Sequence, residues 1–116
     1  MKEFTLITLY HNPRCSKSRQ AKALLDEAGV DYQTRLYLKE NLSVADFEGL
    51  LRALGGKPMD HLRRGEDAFA RLPADAGIEQ IAQALHADPI LLERPVLVTA
   101  KGAAVCRPPE RVLTLL

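Results

Sequence analysis

Cysteine is scarce in this chain. Cys15 and Cys106 are too few and too far apart for a disulfide scaffold or a zinc knuckle, and the three histidines stand at no metal-ligand spacing from them. Charge of one sign is also lacking. A formal net charge of +1 gives no electrostatic reason to expect a nucleic-acid or membrane partner. Long apolar runs are absent too, since charges interrupt every one well before the roughly 18 residues that a membrane span needs. The first residues read as the approach to a strand, without a signal peptide's small-residue cleavage site. The expectation is a cytoplasmic protein whose two thiols stay reduced and which holds no metal. There is no internal repeat, no low-complexity tract and no linker.

What is present suits one compact α/β domain over residues 1–116. Hydrophobic residues make up 47% and charged residues 27%, ordinary values for a globular chain. Ten arginines against six lysines are the one compositional hint, because arginine's planar fork suits the gripping of an oxyanion.

Phe4–Tyr10 is a β-rich apolar run and predicts a buried strand. His11-Asn12-Pro13-Arg14 reads as a turn, since proline cannot continue a ladder. From Cys15 the period becomes helical. Ala21, Leu24, Leu25 and Ala28 fall on one face and Gly29 supplies the stop. Tyr32–Tyr37 alternates toward a second strand, completing a βαβ unit with parallel strands. A helical insertion over approximately 43–88 follows. Ser43 and Asp46 resemble a capping box before Phe47, Leu50, Leu51 and Leu54, Gly55-Gly56 ends that helix, and shorter pieces follow at Pro58–Arg63 and Ile78–His86. Arg94–Thr99 resumes a strand, Lys101-Gly102 turns it, Ala103–Cys106 returns as a hairpin, and Pro108 opens a last helix over Glu110–Leu116. The order βαβ, insertion, ββα predicts a thioredoxin-like four-stranded mixed sheet flanked by helices.

The chemistry concentrates at the first loop. A cysteine at the start of a helix sits among unpaired backbone N–H groups, which favour thiolate over thiol. Arg14, Lys17 and Arg19 add local positive charge. The same helix start attracts phosphate-like anions, so nucleophile and anion cradle coincide. Phosphate-ester hydrolysis and arsenate reduction share that description. The Cys-x5-Arg loop of low-molecular-weight phosphatases is absent, because Ala21 stands six residues after Cys15. The Cys-x-x-Cys of glutaredoxins is absent as well. Here it reads Cys15-Ser16-Lys17-Ser18, with a hydroxyl in place of the second thiol. Ser18 is expected to hydrogen-bond the Cys15 thiolate but cannot resolve a mixed disulfide, so an outside thiol, glutathione first among them, must close the cycle.

Tyr10-His-Asn-Pro-Arg-Cys-Ser-Lys-Ser-Arg19 closely resembles the active-site motif of the glutaredoxin-dependent arsenate reductase (ArsC) family. Leu62-Arg63-Arg64, Pro89–Thr99 and Cys106-Arg-Pro-Pro-Glu110 agree with further blocks of that family in the same order. The resemblance implies that Cys15 attacks arsenic, that Arg63, Arg94 and Arg107 hold the oxyanion and depress the cysteine's pKa, and that His11 and Ser18 tune the thiolate. It also implies a cis peptide before Pro95. Arg63 is preferred to its neighbour Arg64 on the alignment of the motif. Cys106, His61 and His86 match no functional position and read as a small core residue and two surface or capping residues.

The implied activity is reduction of arsenate to arsenite through a covalent arseno-cysteine. Glutathione acts as co-substrate, glutaredoxin as partner, and no cofactor is bound. Well-known members continue past the last helix, whereas this chain stops at Leu116 and resembles a short form. Two alternatives stand beside this reading. One is a glutathione-dependent thiol-disulfide reductase of the same fold, which would have no use for the arginine cluster. The other is a Spx-type redox-sensing regulator, a class that typically lacks His-Asn-Pro before its cysteine.

Overall fold

The computed structural model describes residues 6–116, so the first two residues of the expected Phe4–Tyr10 strand lie outside it. Two compact units are distinguished: residues 1–36 with 94–116, and residues 37–93.

The first unit holds the sheet. Its strands are β1 (Thr8–Tyr10), β2 (Gln33–Arg35), β3 (Val96–Thr99) and β4 (Gly102–Val105), in spatial order β2-β1-β3-β4. β1 is central and pairs parallel with β2, Leu9 opposite Thr34, and antiparallel with β3, Leu9 opposite Leu97. A parallel neighbour requires a crossover, and helix α1 (Ser16–Ala28) supplies it. β3 and β4 form the antiparallel hairpin, Val96 opposite Val105 and Thr99 opposite Gly102. This is the predicted thioredoxin-like mixed sheet.

α1 stops where Gly29 enters the left-handed region at φ 71° and returns its N–H to the Asp26 carbonyl. The buried face of α1 is Ser18, Ala21 and Leu25, a helical i, i+3, i+7 row. Ala28, expected on that face, is exposed; it lies in the last turn of α1, next to the Gly29 stop. Leu9, Ala21, Leu25, Leu97, Cys106 and Val112 form the core cluster between sheet and helix. The closing segment Pro109–Leu115 is a 3-10 helix rather than the expected α-helix, and it packs on α1 through Val112. At the edge of the sheet, the Val105 carbonyl accepts the Arg107 N–H at 3.1 Å and Arg111 Nη1 at 3.3 Å.

The second unit is mainly helical: α2 (Val44–Leu54), α3 (Asp67–Ala70) and α4 (Ile78–Ala87), with 3-10 turns at Pro58–His61 and Pro89–Leu91. The capping box at α2 is complete. Asp46 N–H donates to Ser43 Oγ and Ser43 N–H to Asp46 Oδ2, each at 3.0 Å. Phe47, Leu50 and Leu51 of α2 are buried, as are Ile81, Ala82 and Leu85 of α4, and the two helices pack on each other. Both histidines serve as ties. His61 Nε2 donates to the Gly55 carbonyl that ends α2, at 2.7 Å, and His86 Nδ1 to the Leu42 carbonyl at 2.8 Å. A carbonyl only accepts, so each of those nitrogens carries a hydrogen. The unit also contains an isolated antiparallel bridge between Leu62 and Leu92. Among the described residues no helix is long and apolar enough to cross a membrane.

Candidate active site

The loop between β1 and α1 is held almost entirely by hydrogen bonds to its own neighbours. His11 N–H donates to Arg35 O of β2 at 2.9 Å, which fixes the start of the loop to the sheet. The Asn12 side chain accepts Arg14 N–H at 3.0 Å, and its carbonyl accepts Cys15 N–H at 3.0 Å. This is the Asx-type turn that an Asn-Pro pair favours. Pro13 has no N–H, and its carbonyl accepts Arg19 Nη1 at 2.9 Å. Cys15 is thereby delivered in extended conformation, φ −93° and ψ 122°, as the N-cap of α1.

At that position Cys15 is half-buried and reduced. Burial pushes its thiol up. This is outweighed by the Ser18 N–H, by the Arg94 guanidinium through both a hydrogen bond and its charge, and by the Lys17 N–H, leaving the thiol below its ordinary value. The donors to sulfur on α1 are therefore backbone groups. The Ser18 hydroxyl, expected on the thiolate, is engaged elsewhere: it lies 2.6 Å from His11 Nδ1 and accepts Asn12 N–H at 3.0 Å. Ser18 is fully buried, and His11 and Asn12 nearly so. Burial, then the charges of Lys22 and Arg19, hold the His11 ring below its ordinary pKa, which favours the neutral imidazole. In the Nε2–H tautomer, Nδ1 takes the Ser18 hydroxyl hydrogen and leaves the oxygen's lone pairs for Asn12.

Arg94 approaches from the start of β3. Its guanidinium reaches Cys15, yet its Nε and Nη1 are buried with no hydrogen-bond partner among the described residues. Buried guanidinium donors without partners are costly, and an anion satisfies them with charge-assisted bonds. The Arg94-Pro95 peptide is cis, as the resemblance implied, and Arg107-Pro108 is a second cis peptide that the sequence did not announce. Arg107 is exposed, and its Nη1 donates to the Arg94 carbonyl at 3.1 Å. Arg107 thus engages the backbone of Arg94.

Arg63 belongs to the second unit. Its N–H donates to Leu91 O at 2.8 Å, while its side chain lies 3.3 Å from Glu66 and 3.8 Å from Glu93. Of the Arg63-Arg64 pair, Arg63 is the partly buried member and Arg64 is exposed. Cys106 sits in the core of the first unit, its thiol pointing at the Ala104 carbonyl at 3.6 Å. Burial pushes that thiol up to about 11, an inert state at neutral pH. Among the described residues no group of three or more His, Cys, Asp or Glu side chains is placed to hold a metal ion.

The structure thus gathers Cys15, His11, Ser18, Arg94 and Arg107 in one unit. Asn12 in this loop and Arg19 on α1 hold the loop in ways the sequence reading did not assign to them. Asn12 organises the turn, which the Asn-Pro pair signals, and Arg19 holds the Pro13 carbonyl, which no local pattern signals.

Comparison with known proteins bears on this site. Residues 10–115 match the model of the ArsC family. The chain is 40% identical over 113 residues to a protein of Escherichia coli named YfgD and described as uncharacterized, covering 94% of this chain and 95% of that one. It is 32% identical over 114 residues to an arsenate reductase of Haemophilus influenzae, covering 95% and 98% of the two chains. A solved arsenate reductase from Vibrio cholerae superposes with a TM-score of 0.87 at 32% identity, covering 98% of this chain and 100% of that one. A match of this extent, carried on a loop that presents a thiolate-favouring cysteine beside an arginine with unpartnered donors, makes the chain a member of the ArsC family.

Proposed function

We propose that this protein reduces arsenate to arsenite, with Cys15 as nucleophile. The observation that carries the proposal is the pairing of Cys15 with Arg94, whose buried Nε and Nη1 have no partner among the described residues. A tetrahedral oxyanion at that place would accept those donors while the thiolate attacks its central atom. The arsenate reductase names of the relatives in Haemophilus influenzae and Vibrio cholerae support the choice of oxyanion.

In the proposed sequence the Cys15 sulfur bonds to arsenic and an arsenate oxygen leaves as water, giving an arseno-cysteine with arsenic still pentavalent. Glutathione condenses with that adduct, its sulfur bonding to arsenic as a second oxygen leaves as water. A glutaredoxin thiol then takes the glutathione sulfur as a mixed disulfide. The two thiols lose two electrons, arsenic gains them, and hydrolysis of the remaining sulfur–arsenic bond releases arsenite and regenerates Cys15. The external thiols follow from Ser18, which cannot form a disulfide with Cys15. His11 and Ser18 support the loop, Arg94 binds the oxyanion, Arg107 assists through Arg94, and Arg63 is carried as a third oxyanion ligand on the strength of its motif. No bound cofactor enters the scheme. A reducing compartment, the cytoplasm, suits a free thiolate.

The test is a coupled assay with glutathione, glutaredoxin and NADPH-linked recycling of the oxidised thiol. Arsenate-dependent NADPH oxidation that disappears in Cys15→Ser is the expected result. Turnover that survives Cys15→Ser, or a wild type inert to arsenate, overturns the proposal.

A further inference from the structure

Ser18 and Arg19 are neighbours on the first turn of α1, and they hold the Cys15 loop from opposite sides. Ser18 is fully buried and bonds His11 and Asn12 from within. Arg19 is exposed, and its Nη1 reaches back to the Pro13 carbonyl at 2.9 Å. Every other residue from His11 to Cys15 has a backbone N–H tied to the sheet, to Ser18 or to Asn12. Pro13 has none to offer, so its carbonyl is the only polar backbone group by which it can be held. Pro13 lies two residues before Cys15 and is the one residue of His11–Cys15 without a backbone N–H to tie it. Meanwhile the Arg19 N–H donates to the Cys15 carbonyl at 3.0 Å, so one residue grips the loop at two places.

We propose that Arg19 is a positioning residue for Cys15, acting through the Pro13 carbonyl to keep the sulfur over the Lys17 and Ser18 N–H groups and beside Arg94. The guanidinium holds the loop from the solvent side and does not touch the reacting atoms. The role deepens the function proposed above and rests on it for its catalytic meaning. A backbone swing of about 1 Å at the N-cap is enough to take a sulfur out of hydrogen-bond reach of two amides. An exposed hydrogen bond of this kind adds little to global stability. Its loss therefore registers in thiolate reactivity rather than in unfolding.

The experiment compares wild type with Arg19→Met, which keeps the stem and removes the donors, and with Arg19→Lys. Iodoacetamide alkylation of Cys15 is followed by mass spectrometry at about pH 7 and repeated in about 0.5 M KCl, where the screening length falls to about 4 Å. The expected result is alkylation slowed roughly threefold or more in Arg19→Met. The slowing persists in salt, with an unchanged urea midpoint, and Arg19→Lys falls between the two. An unchanged rate, or slowing that salt erases, overturns the proposal, the second because it reports only a lost charge. If Arg19→Met does not fold, Arg19→Lys against wild type is judged by the same two criteria. Alkylation requires no oxyanion. A wild type inert to arsenate overturns the proposed function and leaves this test readable.

Discussion

Ser18 Oγ lies 2.6 Å from Nδ1 of His11, in a buried position and turned away from the nucleophile it was expected to serve. The hydroxyl ties the first residue of the loop to the first turn of α1, and the sulfur receives the Ser18 backbone N–H instead. One residue thus divides its donors between architecture and chemistry.

Ser18→Ala removes the partner of two buried groups, His11 Nδ1 and Asn12 N–H. The expected cost is about 1–3 kcal/mol, read as a lower urea midpoint. Cys15 keeps its backbone donors, so alkylation at neutral pH should slow far less than stability falls. A Ser18→Ala protein with wild-type stability and an unreactive Cys15 would place the hydroxyl on the thiolate after all.

The two thiols should respond to pH in opposite senses. Cys15 is held below its ordinary value of 9.0, so it favours the folded state above that value and loses this contribution as pH falls through its folded pKa. Cys106 is pushed up to about 11, so the unfolded chain gives up that proton first. Stability should therefore drop between about pH 9 and about pH 11, and Cys106→Ala should flatten that part of the curve, whatever it costs in packing. At neutral pH, native protein should take one alkyl group, at Cys15, and unfolded protein two.

Arg94 and Arg107 should not be equivalent. Arg94→Ala removes a charge-assisted donor set worth about 1.5–3 kcal/mol, or roughly 10- to 150-fold in kcat/KM for arsenate, and shifts the Cys15 alkylation profile to higher pH. Arg107→Ala leaves the Arg94 side chain in place and loses one bond to its carbonyl, so the alkylation profile should move less. Equal displacement of both profiles would show that Arg107 acts on the sulfur directly.

Arg63 provides a separate check. Its pairs with Glu66 and Glu93 involve groups about 29–30% exposed, so Arg63→Ala should cost at most about 1 kcal/mol of stability. If the motif assigns it correctly, the KM for arsenate rises many times more than that loss explains. An unchanged KM removes Arg63 from the oxyanion ligands and leaves it a structural ion pair.

Much of the architecture was legible because local signals agreed with one another. Gly29 ends α1 and the Ser43–Asp46 box opens α2, each by chemistry confined to a few residues, while the hairpin turn falls one residue before the expected Lys101-Gly102, at Ala100-Lys101, with Gly102 already in β4. The nucleophile was legible for the same reason, as a cysteine between a strand and a helix. Partnership was less so. Nothing near Ser18 in sequence says that its hydroxyl will turn to His11, seven residues back, rather than to Cys15, three back. That choice depends on α1 packing Ser18 against the sheet. Ala28 continues the apolar period of α1 yet is exposed in the helix's last turn, so period alone did not fix where burial stops. For the final segment the sequence offers only the opening Pro108, which suits the first turn of either kind of helix. Seven residues form too short a stretch for that signal to separate α from 3-10.

β4 ends the sheet, and an unpaired strand edge is where a second chain would add itself. Val105 closes that opportunity at one end. Its carbonyl is already occupied by the Arg107 N–H and the Arg111 guanidinium, so an incoming strand would have to evict both before its first rung could form. On this edge, among the described residues, Gly102–Ala104 are the part of β4 left beyond Val105, a length that pairs weakly. Arg107 and Arg111 thus occupy, at this end of β4, an acceptor that an added strand would need.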